Sequence, residues 1–344
     1  MKIKTAFEKA SLALPKSRHG VSIAGNVIIT ANDEMQVEVA FDQNNDLFST
    51  QDIVIDQKIC KLIKALPNEL TLKIADGQLN LTHAEGHYLF KATNELVPSI
   101  TPPEILLSVT VSGEVLADAL NFVADCMSCN DIRQYLNGAY VKFTGDKLVI
   151  CASNGISLAR SEKEVATDNE ASFILPFHSA QTIATEAASS DKVIITIGTN
   201  HIVQFTFQEF TIRCKTVDGT YPDVDKMIQS LPEETVLSVL PKNLNEAIKT
   251  AFILADNTQQ TYIELEVGKS QVNCSVKGIQ ADGTESCEAE VSGKQNIRFT
   301  LLGRHVMSAL NASRGTTKIA RNESGPLVSF ESERGLWVIA TPRV

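Results

Sequence analysis

His83, Glu85 and His87 alternate along the chain. Alternate residues of a strand share one face, so these three could converge as imidazole and carboxylate ligands of a metal ion. Ala84-Glu85-Gly86, however, has the composition of a hairpin tip, which breaks that alignment. Cys126-Met-Ser-Cys129 has the spacing of a redox or zinc pair, but it has no second such pair and no nearby histidine pair. The plainer reading is small residues at a helix end. Ser153 sits in a strand-to-turn word without the flanking glycines of a nucleophile elbow and without an obvious histidine partner. No Gly-rich phosphate loop and no HExxH occurs. The residues predict no catalytic group, no metal and no cofactor, so the chain is not expected to be an enzyme.

The elements that carry these residues recur. A turn-and-strand unit reads GVSIAGNVIITANDEMQVEV from Gly20, returns as AYVKFTGDKLVICASNGISLAR from Ala139, and again as YIELEVGKSQVNCSVKGIQADG from Tyr262. Each copy follows an amphipathic stretch: Phe7, Ala10 and Leu14 before Pro15; Val115, Leu116, Ala119, Phe122 and Val123; then Leu244, Ile248, Ala251, Phe252 and Ala255 after Pro241. Each leads to a second helical stripe, through Ile59, Leu62, Ile63 and Leu66, through Ile183, Ala184 and Ala187, and through Leu302, Val306, Ala309 and Leu310. A second set of strands closes each unit. The order helix, strands, helix, strands predicts an α+β fold of three similar two-layer domains, each with two helices on an antiparallel sheet. A period of roughly 115 residues is too long for a solenoid repeat, so each copy should have its own core. Boundaries are expected at 1–102, 103–233 and 234–344.

Composition narrows the class. The chain has 344 residues, 43% of them apolar, and a net charge of -10. No apolar run is long enough to span a bilayer, and the start lacks a signal peptide's apolar centre, so no membrane partner and a cytoplasmic location are expected. Seven scattered cysteines argue for reduced thiols rather than a disulfide framework. The acidic balance argues against nucleic-acid binding by bulk charge, though a local basic face acts at short range.

Specific words now add to the pattern. Asp131-Ile-Arg-Gln-Tyr-Leu-Asn-Gly138 resembles the D-V/I-R-x-Y-L-N-G segment of the bacterial DNA polymerase III beta subunits, the DNA sliding clamps. Ala152-Ser-Asn-Gly155 with Leu158 and Ala159, Lys215-Thr-Val-Asp-Gly219 with Tyr221-Pro-Asp223, and Trp337-Val-Ile-Ala-Thr-Pro-Arg343 resemble further words of that family, in the same order. The resemblance implies a clamp fold in which two chains close head to tail into a ring around duplex DNA. It implies a non-catalytic processivity subunit, a homodimer, that tethers a DNA polymerase to its template and meets polymerase and clamp loader through short peptide motifs. The alternative from a different class is a clamp-shaped decoy or scaffold that binds replication proteins without encircling DNA. It is motivated by Glu114, Asp118 and Asp125 in the second repeat's first helix, which has no Lys or Arg.

Carried over by motif, the partner-peptide groove would use Leu136, Ser153, Gly155, Ile156, Ser157, Leu158, Pro222, Lys226, Met227, Val338, Ile339, Ala340, Thr341, Pro342 and Arg343. Ile156-Ser157 stands where the family commonly has His-Arg, and Ala340-Thr341 where it has Met-Pro, so an altered peptide preference is expected. DNA contacts are implied for Arg133 and Tyr135 and, in the first domain, for Lys16 and Arg18. The helix faces add Lys58, Lys61 and Lys64, then Lys242, Lys249 and Arg304, with His305 and Arg314 as further cations of the third repeat. Ile253 and Leu254 match a hydrophobic pair at the family's ring-closing interface; burial inside the third domain is the other reading.

Overall fold

A strand that alternates apolar and polar residues buries one face, and the first repeat does so: Val21, Ile23, Ile28, Val37 and Val39 are fully buried. The structure is a computed structural model and describes residues 1–16, 19–42, 52–167, 169–231, 235–292, 296–321 and 325–342. The first repeat runs α1 (Ile3–Ala10), β1 (Val21–Ala24), β2 (Val27–Ala31), β3 (Met35–Ala40), β4 (Ile53–Ile55), α2 (Lys58–Ala65), β5 (Thr71–Ala75), β6 (Gln78–His83) and β7 (Gly86–Lys91). The second runs β8 (Ile105–Ser112), α3 (Gly113–Val123), β9 (Gly138–Thr144), β10 (Lys147–Ser153), β11 (Ser157–Glu164), β12 (Ala171–Pro176), α4 (Phe177–Ala187), β13 (Lys192–Gly198), β14 (Ile202–Thr206) and β15 (Phe210–Lys215). After α5 (Val224–Ile228) the third runs β16 (Thr235–Val239), α6 (Pro241–Ala251), β17 (Tyr262–Val267), β18 (Gln271–Lys277), β19 (Asp282–Glu288), β20 (Glu290–Val291), β21 (Arg298–Leu302), α7 (Gly303–Ala312), β22 (Thr317–Arg321), β23 (Leu327–Ser332) and β24 (Gly335–Ala340).

Pro241 opens α6, where its missing N–H has no intrahelical partner to lose. Pro15 does not mark the end of α1 as expected. The α-helix stops at Ala10, and Pro15 falls inside a following 3-10 segment, Ser11–Lys16. Asp76 and Gly77, with φ of 52° and 68°, form the two-residue link between β5 and β6, a turn whose left-handed angles suit glycine. Phe7, Ile59 and Ile63 from α1 and α2 are fully buried, and burying each contributes about 1.5–3 kcal/mol. The cysteines are all free thiols.

The chain divides into two compact units, Met1–Ala117 with His178–Val217, and Asp118–Phe177 with Asp218–Val344. The first holds an 8-stranded sheet, β4-β1-β2-β3-β15-β14-β13-β8, and a 3-stranded sheet, β5-β6-β7. The second holds a 9-stranded sheet, β12-β9-β10-β11-β24-β23-β22-β16-β20, and a 4-stranded sheet, β19-β18-β17-β21. Each large sheet joins the first half of one repeat to the second half of the next. In the first unit β3 meets β15 antiparallel, with Val37 opposite Ile212 and Met35 opposite Cys214. In the second unit β11 meets β24, with Ala159 opposite Trp337 and Ser157 opposite Ile339.

The turn that enters these seams is the same in every repeat. Asn32 N–H donates to Met35 O at 2.9 Å, Asn154 N–H to Ser157 O at 3.1 Å, and Gly278 N–H to Ala281 O at 3.0 Å. Just beyond each pairing, Lys215 N–H donates to Glu34 O at 2.9 Å and Ala340 N–H to Ile156 O at 2.9 Å. Residue can therefore be matched to residue across the repeats by hydrogen bond rather than by letter.

Candidate partner groove and nucleic-acid interface

Asn154 sets the shape of one end of the candidate groove. Its Oδ1 accepts the N–H groups of Ile156 at 3.0 Å and Ser157 at 2.9 Å, an Asx turn that replaces the strand ladder for one residue. Gly155 completes the turn at φ +85°, a conformation that a side chain would strain. The consequence is a reversal of facing: Ile156 is 42% exposed, while Ser157 is 2% exposed. Tyr221 stacks on Tyr140 with ring centroids 4.9 Å apart, and Tyr135 meets it edge-on at 6.4 Å. Asp223 then caps α5 by accepting Lys226 N–H at 3.1 Å.

The expected groove residues separate into two layers. Gly155, Ile156, Pro222 and Lys226 are exposed, and Ser153, Met227, Ala340, Thr341 and Pro342 are half-buried. Leu136, Ser157, Leu158, Val338 and Ile339 lie in the core. Of the expected groove residues, accessible apolar contact therefore rests on Ile156, Pro222 and Met227. Arg343 lies outside the described residues.

Ser157 is the hub beneath the turn. Its carbonyl accepts from Ser153 Oγ at 2.9 Å, its Oγ lies 3.1 Å from His305 Nδ1, and the Cys126 thiol donates to that Oγ at 3.5 Å. His305 is 6% exposed, and burial, with the Arg304 charge beside it, pushes its pKa down to about 4. His305 is thus a neutral buried group and not the surface cation expected. Cys126 is buried and Cys129 exposed, and no group of three or more metal-ligating residues occurs among the described residues. His83 and His87 lie on either side of a hairpin whose tip is Ala84-Glu85, as the composition predicts, with Gly86 already in β7.

The basic residues are spread over several helices. Lys58, Lys61 and Lys64 are exposed on α2, opposite buried Ile59 and Ile63, and Lys58 stands 3.7 Å from Asp56. Lys242 and Lys249 are exposed on α6. Arg304 is half-buried and donates to Gln259 Oε1 at 2.8 Å, which ties it to a loop. Arg133 forms a two-pronged pair with Asp131, Nε–Oδ1 at 3.0 Å and Nη2–Oδ2 at 2.8 Å, and holds that carboxyl down at about 2. Tyr135 is half-buried beside it. Lys16 ends the segment Ser11–Lys16, and Arg18 lies outside the described residues. The exposed positions of α3 and α4, Glu114, Asn121, Gln181 and Thr185 among them, carry no Lys or Arg. Asp118 on α3 is not a free acid: Lys163 stands 2.9 Å away, Arg334 2.9 Å and Arg314 3.5 Å. Ile253 is 81% exposed, Leu254 37% and Ile279 88%, an apolar cluster on the surface of the third repeat.

The model of the DNA polymerase III beta subunit central domain matches residues 110–223. The chain is a divergent relative of the DNA polymerase III beta subunits. A beta sliding clamp of Pseudomonas aeruginosa is 26% identical over 242 residues, covering 68% of this chain and 63% of that protein. A beta sliding clamp of Synechococcus elongatus is 23% identical over 354 residues, covering 95% of this chain and 93% of the other. Among solved structures, the beta subunit of Pseudomonas aeruginosa superposes with a TM-score of 0.87 at 17% identity, over 100% of this chain and 98% of that one. That of Thermotoga maritima does so at 0.88 and 17%, over 100% and 97%. The α+β clamp fold is therefore that of this relative as well.

Sequence reading missed the turn-setting role of Asn154, the inward hydroxyl of Ser157 and the cluster around Asp118. Only Asn154 carried a local signal, an Asx residue followed by glycine.

Proposed function

We propose that this chain is a sliding clamp: two copies, each of three repeats (1–102, 103–233, 234–344), close head to tail around duplex DNA and tether a polymerase without catalysing anything. One observation carries the reading. Both internal seams use the same register, and β7 and β19 are left at the edges of their sheets as the remaining strands of the same two types. If the ring-closing seam uses the same register, Gly283 would lie opposite Tyr88 of the partner subunit, and Thr284 opposite His87 of the partner subunit. Lys91 N–H of the partner subunit then donates to Gln280 O, as Lys215 and Ala340 do at Glu34 and Ile156. Asp282, exposed on the outer face, comes diagonal to the partner's Lys91, a favourable cross-strand pair. Leu254 fills the space beside Gly283, where a Cβ would lie 2.6 Å from Leu254 Cδ1, so Leu254, with Ile253 and Ile279, puts apolar surface at that end of the third repeat.

Closure by topology explains how an acidic chain serves DNA. A closed ring cannot dissociate sideways, so weak, sequence-blind phosphate contacts from Lys61, Lys64, Lys242 and Lys249 suffice and permit sliding. Partner tails of polymerase and clamp loader would lie on Ile156, Met227 and Pro222, held by apolar area at about 25 cal/mol per Å². The cytoplasm, where replication machinery works, is the location that fits. No helix among the described residues is long and apolar enough to cross a membrane.

The clamp reading is tested by loading the protein onto nicked circular plasmid with a clamp loader. Retention that is lost when the plasmid is linearised is expected; equal retention on linear DNA would sink it. The register is tested by a chain carrying Thr284→Cys and His87→Cys. Mild oxidation is expected to give a covalent dimer that neither single variant gives, because opposed Cβ atoms in such a sheet are about 4.5–5.5 Å apart.

A further inference from the structure

The seam in the second unit has a staple. Arg334, in the turn between β23 and β24, donates Nη2 to Asp118 O at 2.8 Å and Nη1 to Ala312 O at 2.7 Å. Its Nε is 2.9 Å from Asp118 Oδ1, and its guanidinium lies 5.4 Å from the centroid of Phe122. Lys163 and Arg314 complete a cationic ring around that carboxylate. The turn of β23 and β24 is thereby fastened to the helix of the preceding repeat.

The repeated register identifies the equivalent residues elsewhere. Arg334 lies three residues before Trp337, which is opposite Ala159; Glu209 lies three before Ile212, which is opposite Val37. Glu85 lies three before Tyr88, which the same register sets opposite Gly283. On the helix side, Asp118 follows by seven residues Val111, which is opposite Val193. Glu246 follows by seven residues Val239, which is opposite Thr317. Buried Leu116 and Leu120 match buried Leu244 and Ile248, so Glu246 occupies the place of Asp118. The place of Lys163 is taken by Cys287, and that of Arg314 by Pro67.

In the first unit, then, Glu209 replaces the arginine and finds the Met1 ammonium 3.5 Å away. At the ring-closing seam every cation of the staple is gone. Resting on the ring reading above, we propose that like charge weakens this seam: Glu85 of the partner subunit comes against Glu246 and Glu285, where Arg334, Lys163 and Arg314 surround Asp118 in the second unit. Glu285 is half-exposed and lies two residues beyond Gly283, on the same face of β19. Lys242, 4.0 Å from Glu246 and 82% exposed, is the nearby cation and offsets part of the repulsion.

The test is a double-mutant cycle on the dimer dissociation constant, measured by sedimentation equilibrium on the full chain. Glu85 is at an exposed hairpin tip and Glu246 on an exposed helix face, and circular-dichroism melting checks that each variant folds. Glu85→Arg is expected to tighten the dimer about tenfold, which is ~1.4 kcal/mol spread over the two seams of a ring. Glu246→Arg is expected to tighten it similarly. The double variant, with like charges restored, is expected to lose most of either gain. A wild-type dimer that neither single variant tightens would overturn the like-charge reading while leaving the ring intact. Absence of a dimer in wild type and every variant would bring down the ring reading together with the charged seam.

Discussion

The two internal seams share a backbone and differ in chemistry. Both begin with an Asx turn, since Asn32 Oδ1 accepts from Glu34 and Met35 N–H at 2.8 Å each, as Asn154 does from Ile156 and Ser157. Both pair in the same register. Yet Glu34 and Lys215 stand in the first where Ile156 and Ala340 stand in the second. A peptide approaching the first seam meets charge; at the second it meets an exposed isoleucine. Backbone repetition thus supplies the turn twice, and side chains give it a charged surface once and an apolar one once.

The largest expected difference concerns the turn residues. Arg334→Ala removes a guanidinium that satisfies two carbonyl groups, and it leaves Asp118 with fewer cations, so unfolding free energy should fall by about 2–3 kcal/mol. Glu209→Ala in the first seam should change it by less than about 0.5 kcal/mol, because Glu209 is half-exposed and its ion pair is screened. Urea titration of both variants checks the contrast, and equal losses would break it.

The next difference is in pH response. His305, under the second seam, has its pKa depressed to about 4, so the neutral form belongs to the folded state. Its contribution is complete above the ordinary histidine value near 6.5 and shrinks as pH falls toward 4. Between pH 7 and pH 5, wild type should lose about 1–2 kcal/mol more stability than His305→Asn. Met35 holds the place of Ser157 in the first seam, where Asn32 Nδ2 donates to Ala13 O at 2.9 Å. A variant that tracks wild type across this range would remove His305 from the account.

The smallest effect is on recognition. Ile156→Glu should weaken a clamp-binding pentapeptide about tenfold in a fluorescence titration, ~1.4 kcal/mol. Glu34→Ile should leave it within twofold, because the proposed groove lies at the second seam. If both changes act alike, the assignment of one seam over the other is wrong.

The sequence made some of this legible. Alternation through Val141, Phe143, Leu148 and Ile150 and the turn at Gly145 placed the hairpins, because those signals are local. His305 was misjudged as a surface cation, although it precedes Ala309 by one helical turn and so shares the buried stripe with Val306 and Leu310. Arg334 gave no warning at all. Its partner is 216 residues away, and nothing near a turn reports what it will touch. Ser157 was assigned to a groove by likeness, but the turn at Asn154 faces it inward, a choice made by hydrogen bonds rather than by residue type.

Trp337 gives the second seam an optical handle. It is the single tryptophan of the chain, 1% exposed, edge-on to Phe122 with centroids 6.3 Å apart, in the strand that joins β11. Indole emission excited selectively therefore comes from one place. A red shift would signal water entering beside β24, and an unshifted spectrum on dilution of the proposed dimer would say that subunits can part without that seam parting.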